Sequence, residues 1–210
     1  MKKLILSVLV AGALSVPSLA QAETYYVSVS SGLNRLGNSS LDYEYPDLSM
    51  NPPYTLKYKP GVVVNGAIGL KSGDIRLETE VGYHNNKVDK SFDAVNNTLQ
   101  YVNFNLTSWT FMANGYYDFD WLSTSVTPYL MGGLGSARMT VNVPVYGMGT
   151  SVTFAWQAGA GLGIKATKDI TIDLAYRYLK PSTLKENTDY GVGKLTFGGS
   201  EFLAGFRFAL

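Results

Sequence analysis

The sequence predicts an all-β protein: an eight-stranded, antiparallel, up-and-down β-barrel that crosses a membrane. Three observations predict it. The last ten residues alternate strictly, with Phe202, Ala204, Phe206, Phe208 and Leu210 on one face and Glu201, Leu203, Gly205, Arg207 and Ala209 on the other. Successive strand residues point to opposite faces, so one face is wholly apolar and the other holds the charges, as in a strand that faces lipid. Seven earlier segments repeat the pattern, and none of their apolar rows carries Asp, Glu, Lys or Arg. The connections between the eight segments alternate between short and long.

The first strand is expected at Thr24 to Ser31, with Tyr25, Val27 and Val29 outward. The second spans Gly61 to Lys71, with Val62, Val64, Ile68 and Leu70 on one face. The third, Asp74 to His84, sets Ile75, Leu77, Thr79, Val81 and Tyr83 against Arg76, Glu78, Glu80, Gly82 and His84. The fourth, Thr107 to Phe119, turns Trp109, Phe111, Ala113 and Tyr117 outward and Asn114 inward. Upstream of it, Tyr101 to Leu106 is also strand-like, but its apolar register is reversed, which predicts a β-bulge near Ser108. The fifth begins at Pro128 and carries Leu130 and Leu134. The sixth, Val152 to Lys165, puts Phe154, Trp156, Ala158, Ala160, Leu162 and Ile164 opposite Gln157, Gly159, Gly161, Gly163 and Lys165. The seventh sets Ile170, Ile172, Leu174, Tyr176 and Tyr178 against Asp173 and Arg177, and the terminal strand completes the set.

Ser72-Gly73-Asp74 and Thr167-Lys168-Asp169 are tight turns, and Asp120 to Thr127 is a moderate link. Gly32 to Pro60, Asn85 to Gln100, Ala137 to Ser151 and Lys180 to Gly199 are long, and no structure is assigned to the first of them. Strict alternation is the pattern of an even-stranded barrel with short turns on one side of the membrane and long loops on the other. The inward rows bring together Arg76, Glu78, Glu80, Lys165, Asp173, Arg177, Glu201 and Arg207, four positive and four negative. An eight-stranded lumen is just wide enough for side chains to fill, so these eight are expected to pair as a polar plug, with the strand-5 and strand-6 glycines leaving room for Arg and Tyr. A soluble barrel with reversed faces shares the period of two; the loop alternation, the ending on a strand and the unbroken aromatic face weigh against it.

At the N-terminus, Lys2 and Lys3, the apolar run Leu4 to Val16 and the small-x-small site Ala20-Gln21-Ala22 read as a secretory signal peptide, residues 1–22, leaving a barrel domain of residues 23–210. Of the 17 basic and 16 acidic residues, Lys2 and Lys3 would leave with it, so the mature charge gives no reason to expect nucleic acid. There is no cysteine, which excludes disulfide and thiolate chemistry. Mean hydropathy near zero, 15 Tyr, 9 Phe and 22 Gly suit a barrel with interfacial aromatic girdles.

Four blocks carry a family resemblance. Ser108-Trp-Thr-Phe-Met-Ala-Asn-Gly-Tyr-Tyr-Asp-Phe119, Thr127-Pro-Tyr-Leu-Met-Gly-Gly-Leu-Gly135, Phe154-Ala-Trp-Gln-Ala-Gly-Ala-Gly-Leu-Gly163 and Ile172-Asp-Leu-Ala-Tyr-Arg-Tyr178 resemble strands four to seven of the opacity-protein/OmpA-like outer-membrane barrel superfamily. With the last strand they cover the second half of the barrel. The resemblance implies the outer membrane of a Gram-negative bacterium, with outer-membrane lipids and lipopolysaccharide around a monomer. It also implies a terminal strand read by the barrel-assembly machinery, here through Phe202, Phe206, Phe208 and Leu210; Leu210 departs from the usual Phe or Trp ending. A periplasmic peptidoglycan-binding domain like that of full-length OmpA is not expected.

Three functions fit such a barrel. One is a surface role, adhesin- or antigen-like, in which long loops rich in Tyr (Tyr43, Tyr45, Tyr54, Tyr58, Tyr146, Tyr190) meet a host or matrix ligand. Those tyrosines read equally well as girdle or loop packing. The second is a small porin or transport barrel, opposed by the strand count and the balanced lumen charges. The third is a lipid-modifying enzyme, which needs a nucleophile and base in hydrogen-bond reach. The only histidine, His84, sits beside Asn85 and Asn86 at a loop junction and reads as structural, so no catalytic residue and no enzyme are expected. Asp42, Glu44 and Asp47 lack calcium-loop spacing, and Gly159, Gly161 and Gly163 lack the following helix of a phosphate loop, so neither metal nor cofactor is expected. Glu78 and Glu80 lie about 7 Å apart by strand geometry, a catalytic spacing, but a filled lumen admits no glycan.

Overall fold

The computed structural model describes residues 24–44, 54–93, 98–122, 125–143, 147–188, 191–196 and 198–210, with side chains for 24–38, 57–90, 105–122, 125–140, 150–183 and 198–210. The expected signal peptide lies outside the described residues. The strands are β1 (Thr24–Leu36), β2 (Ser39–Glu44), β3 (Tyr54–Tyr58), β4 (Gly61–Ser72), β5 (Ile75–Asp93), β6 (Thr98–Asp118), β7 (Val126–Val143), β8 (Gly147–Lys165), β9 (Ile170–Pro181), β10 (Leu184–Thr188), β11 (Gly191–Thr196) and β12 (Gly199–Ala209). Eight of them, β1, β4, β5, β6, β7, β8, β9 and β12, pair antiparallel with their neighbours, and β12 returns to pair with β1, so the barrel is closed.

The alternation read from sequence sets the two faces. Ile68, Leu130, Leu134, Phe154, Phe202 and Phe206 are exposed on the outside, while Tyr26, Asn65, Glu80, Gln157, Arg177 and Glu201 are buried inside. In a membrane the exposed row meets acyl chains, so the pattern that would be inside out in water is the stable one in lipid. At the periplasmic end, β4 turns into β5 through Gly73, whose φ of 58° lies in the left-handed region open to glycine.

The long connections are largely strand. A tilted strand needs about 9–11 residues to cross the hydrocarbon. β5 has 19 and β6 has 21, whereas β1, β4, β9 and β12 have 13, 12, 12 and 11. Above the shorter strands the wall is continued by a sheet in the order β10-β11-β2-β3-β5. The first long connection, left without structure by sequence reasoning, therefore contains β2 and β3. The bulge expected near Ser108 is absent: β5 and β6 pair without a break from Ile75↔Tyr117 to Val88↔Phe104, and the register shifts between Val88 and Lys90 instead. The apolar reversal has another cause. Leu106 points into the barrel and joins a cluster of Met139, Ala137, Ala155 and Leu179, so the lumen turns apolar toward its extracellular end.

Candidate functional site

Two layers of buried polar side chains fill the lumen. The upper layer centres on Arg177 of β9. Its Nε donates to Glu201 Oε2 at 2.6 Å and its Nη1 to Glu80 Oε2 and Oε1 at 2.8 and 3.0 Å. His84 Nε2 lies 2.7 Å from Glu201 Oε1. Gln157 Nε2 donates to Asn114 Oδ1 at 2.7 Å and reaches Glu80 at 3.4 Å. With its amide turned so that the oxygen faces them, Asn65 accepts from Arg177 Nη2 at 2.8 Å and Ser30 Oγ at 3.2 Å. Buried charges persist only when paired and hydrogen-bonded, and this layer draws its partners from seven strands.

The lower layer closes the periplasmic half. Arg76 Nε donates to both oxygens of Asp118 at 2.9 Å, and Lys71 Nζ reaches Asp118 and Asp120 at 2.6 Å each. The Arg76 guanidinium lies over the Tyr116 ring, 4.1 Å from its centroid, and 4.8 Å from that of Tyr129. Arg207 Nη2 donates to Asp173 Oδ1 at 3.2 Å. Glu78 is held by hydroxyls: Tyr116 at 2.8 Å, Tyr26 at 3.1 Å and Ser28 at 3.4 Å. At the turn below, burial raises the Asp120 carboxyl, but hydrogen bonds from Lys71 and Thr127 outweigh it and hold its pKa below the usual carboxylate value.

Of the eight charges read from sequence, Arg76, Glu80, Asp173, Arg177, Glu201 and Arg207 make ion pairs with described partners. Glu78 takes the three hydroxyls instead. Lys165, the last residue of β8, is exposed at the periplasmic mouth. Sequence reasoning missed Asp118, Lys71 and Asp120; the first two stand at the periplasmic ends of the inward rows of β6 and β4, within the strands as read from sequence. It also placed His84 at a loop junction, whereas the residue is 3% exposed and faces the lumen. The glycines leave room as expected: a Cβ on Gly161 would lie 2.5 Å from the Tyr129 ring and one on Gly163 2.9 Å from Arg207 Nη2.

Between the layers a cavity of about 50 Å³ is lined by Arg76, Glu78, Glu80, Tyr129, Asp173 and Arg177. Holding one water takes roughly 10–15 Å³ of such space, so the gap admits a few waters and is not a conduit. His84 Nδ1 has no hydrogen-bond partner among the described residues, although Ser108 lies opposite in register. Outside, Tyr83–Trp109 and Trp156–Tyr178 pack at 5.0 and 6.0 Å between ring centroids toward the extracellular rim. Tyr117, Phe119 and Trp121 form the corresponding contacts at the periplasmic rim. Two aromatic girdles on either side of a charge-free band are the marks of a membrane barrel.

The family model for the outer membrane protein beta-barrel domain matches residues 6–208. The chain belongs to that family. It is an integral outer-membrane protein of the superfamily that its strand blocks resemble. Outer membrane protein PagN of Salmonella typhimurium is 36% identical over 94 residues, covering 40% of this chain. The matched region spans 38% of PagN's length. Among solved structures, Neisserial surface protein A is similar with a TM-score of 0.58 at 18% identity, covering 90% of this chain and 100% of its own. OprG from Pseudomonas aeruginosa has a TM-score of 0.63 at 11% identity, covering 90% and 98%. These two likenesses speak for the fold.

Proposed function

We propose that this outer-membrane barrel works at the cell surface, with its extracellular sheet contacting a host or matrix ligand, and that it neither conducts nor catalyses. The observation that carries this reading is the wall above the membrane. β5 and β6 run about 8–10 residues past what crosses the hydrocarbon, a rise of roughly 20 Å once strand tilt is allowed for. β3, β2, β11 and β10 extend that wall sideways, and the β7-facing edge of residues 98–104 pairs with no strand among the described residues. A broad sheet with free backbone groups along an edge is a recognition surface of the strand-addition kind. The two lumen layers support the other half of the reading, since the cavity between them is only about 50 Å³.

In the same reading the protein is a monomer. It is exported by the signal peptide of residues 1–22 and inserted through its terminal strand by the barrel-assembly machinery. Deleting residues 37–57 tests the surface role, with adhesion of expressing bacteria to cells and matrix as the measurement. The expected result is a loss of adhesion with the barrel still folded, shown by its retarded migration on unheated gels. Unchanged adhesion sinks the reading. Planar-bilayer recordings test the sealed lumen; a steady, reproducible opening would contradict it.

A further inference from the structure

Above the upper layer, at the extracellular end of the lumen, lies a second cavity of about 20 Å³. His84, Asn34 and Ser108 line its polar side, and Leu106, Met139 and Leu179 line its apolar side. The polar side holds two buried atoms with no hydrogen-bond partner among the described residues, His84 Nδ1 and Asn34 Oδ1. Both are acceptors. Glu201 Oε1 lies 2.7 Å from His84 Nε2. A carboxylate offers only lone pairs, so the imidazole proton sits on Nε2 and Nδ1 keeps its lone pair. The Asn34 amide nitrogen donates to Asn86 Oδ1 at 3.3 Å, which fixes the amide with Oδ1 turned away from Asn86. Gly199 keeps the approach to that oxygen clear, since a Cβ there would lie 2.8 Å from it.

Buried acceptors without a donor are costly, and two of them on one cavity call for a ligand that donates. We infer that the cavity takes the head of a primary alkylammonium ion, whose N–H groups donate to His84 Nδ1 and Asn34 Oδ1. Charge favours an ammonium over a neutral donor. The layer beneath sets two carboxylates, Glu80 and Glu201, against the single guanidinium of Arg177, so a cation above it is attracted. Size favours a primary amine over a quaternary one. One water takes roughly 10–15 Å³ of such space, so an ammonium head fits and a trimethylammonium head does not. The rest of the ligand is a short alkyl chain, because Leu106, Met139 and Leu179 belong to the apolar cluster at that end of the lumen. The site is a dead end above the Arg177 layer. It needs no passage through the barrel and is independent of the adhesion reading.

His84 is the only histidine, so nitrogen NMR of the imidazole, with the barrel refolded into lipid nanodiscs, reads the site directly. The probes are butylamine, butyltrimethylammonium and n-butanol, each titrated at constant neutral pH. The expected result is a saturable shift of the Nδ1 resonance with butylamine and none with the other two over the same range. No saturable shift with butylamine overturns the inference. An equal shift with butyltrimethylammonium or n-butanol overturns it as well, since neither brings an ammonium N–H. This arm needs no variant to fold. Asn34→Leu, checked for folding by gel migration, should bind butylamine roughly tenfold more weakly through the loss of one charge-assisted hydrogen bond. Wild-type affinity in that variant overturns the site as drawn.

Discussion

Replacing Arg177 with methionine isolates the upper lumen layer. The side chain is 4% exposed and makes three charge-assisted hydrogen bonds, one to Glu201 and two to Glu80. Methionine keeps much of the length and removes the charge. Two carboxylates then remain buried, Glu80 at 4% and Glu201 at 0% exposed. Bonds to charged groups contribute about 1.5–3 kcal/mol each, so three give an upper bound of ~4–9 kcal/mol. Gln157 and His84 still donate to the stranded carboxylates, and stripping one partner from a buried pair costs ~3–5 kcal/mol, so the lower part of the range applies. The triple variant E80Q/R177M/E201Q removes the stranded charges and should recover most of the loss. Urea unfolding of barrels refolded into lipid vesicles, followed by tryptophan fluorescence and gel migration, measures both. A single variant within ~1 kcal/mol of wild type, or a triple no more stable than the single, refutes the account of this layer as an interdependent ion network.

Three further outcomes are expected. A Cβ on Gly159 would lie 2.6 Å from that of Arg177 and against the Tyr176 carbonyl, whereas one on Gly132 would have nothing within 4 Å. Gly159→Ala should therefore cost ~1–3 kcal/mol by overpacking and Gly132→Ala less than ~0.5 kcal/mol, and equal urea midpoints would show that the lumen glycines are not there for room. Because Asp120 is held below its unfolded pKa, its contacts with Lys71 and Thr127 contribute stability at neutral pH that is lost as pH falls through the folded value. Carboxyl NMR should place its midpoint below ~3.9, and a midpoint above that contradicts the arrangement. Leu210 is 81% exposed, with its amide bonded to the Tyr25 carbonyl at 2.9 Å, so a larger side chain there meets no packed neighbour, and the proposed insertion signal can be tested at this position. Leu210→Phe should raise the folded fraction in cells and Phe208→Ser lower it, and a Phe208→Ser variant that assembles like wild type would remove the terminal aromatics from the insertion signal.

The membrane-spanning part was legible because lipid imposes one rule on every strand. A charge on the outer face at the midplane costs ~2–4 kcal/mol, so Ile75 to Tyr83 or Phe154 to Ile164 must alternate without exception, and period two shows through. Past the rim that rule lapses. β2, β3, β10 and β11 continue the wall beyond the length of strand that crosses the hydrocarbon, so the lipid rule enforces no alternation there and those segments read as loops. Leu106 misled for a related reason. An inward apolar residue breaks the expected polar row, and a bulge was the local explanation, while the true one is a lumen whose composition changes along its axis.

The lumen shows the opposite limit. Alternation says which side chains point inward, but not which of them meet. Arg177 and Glu80 are 97 residues apart and His84 and Glu201 are 117 apart, so their pairing is set by barrel closure and strand stagger. Glu78 shows why a balanced charge count is too coarse: tyrosine and serine hydroxyls from β1 and β6 hold it, and none of them enters such a count. Closure also explains why the plug is divided into layers. Each layer takes its residues from strands that reach the same height, and the stagger of an eight-stranded barrel brings β5, β9 and β12 to the height of Arg177 but β4, β5 and the β6 end to that of Asp118. A substitution within one layer should therefore couple strongly to its layer and weakly to the other, which makes coupling energies between Arg177 and Asp118 variants a direct measure of how independent the two seals are.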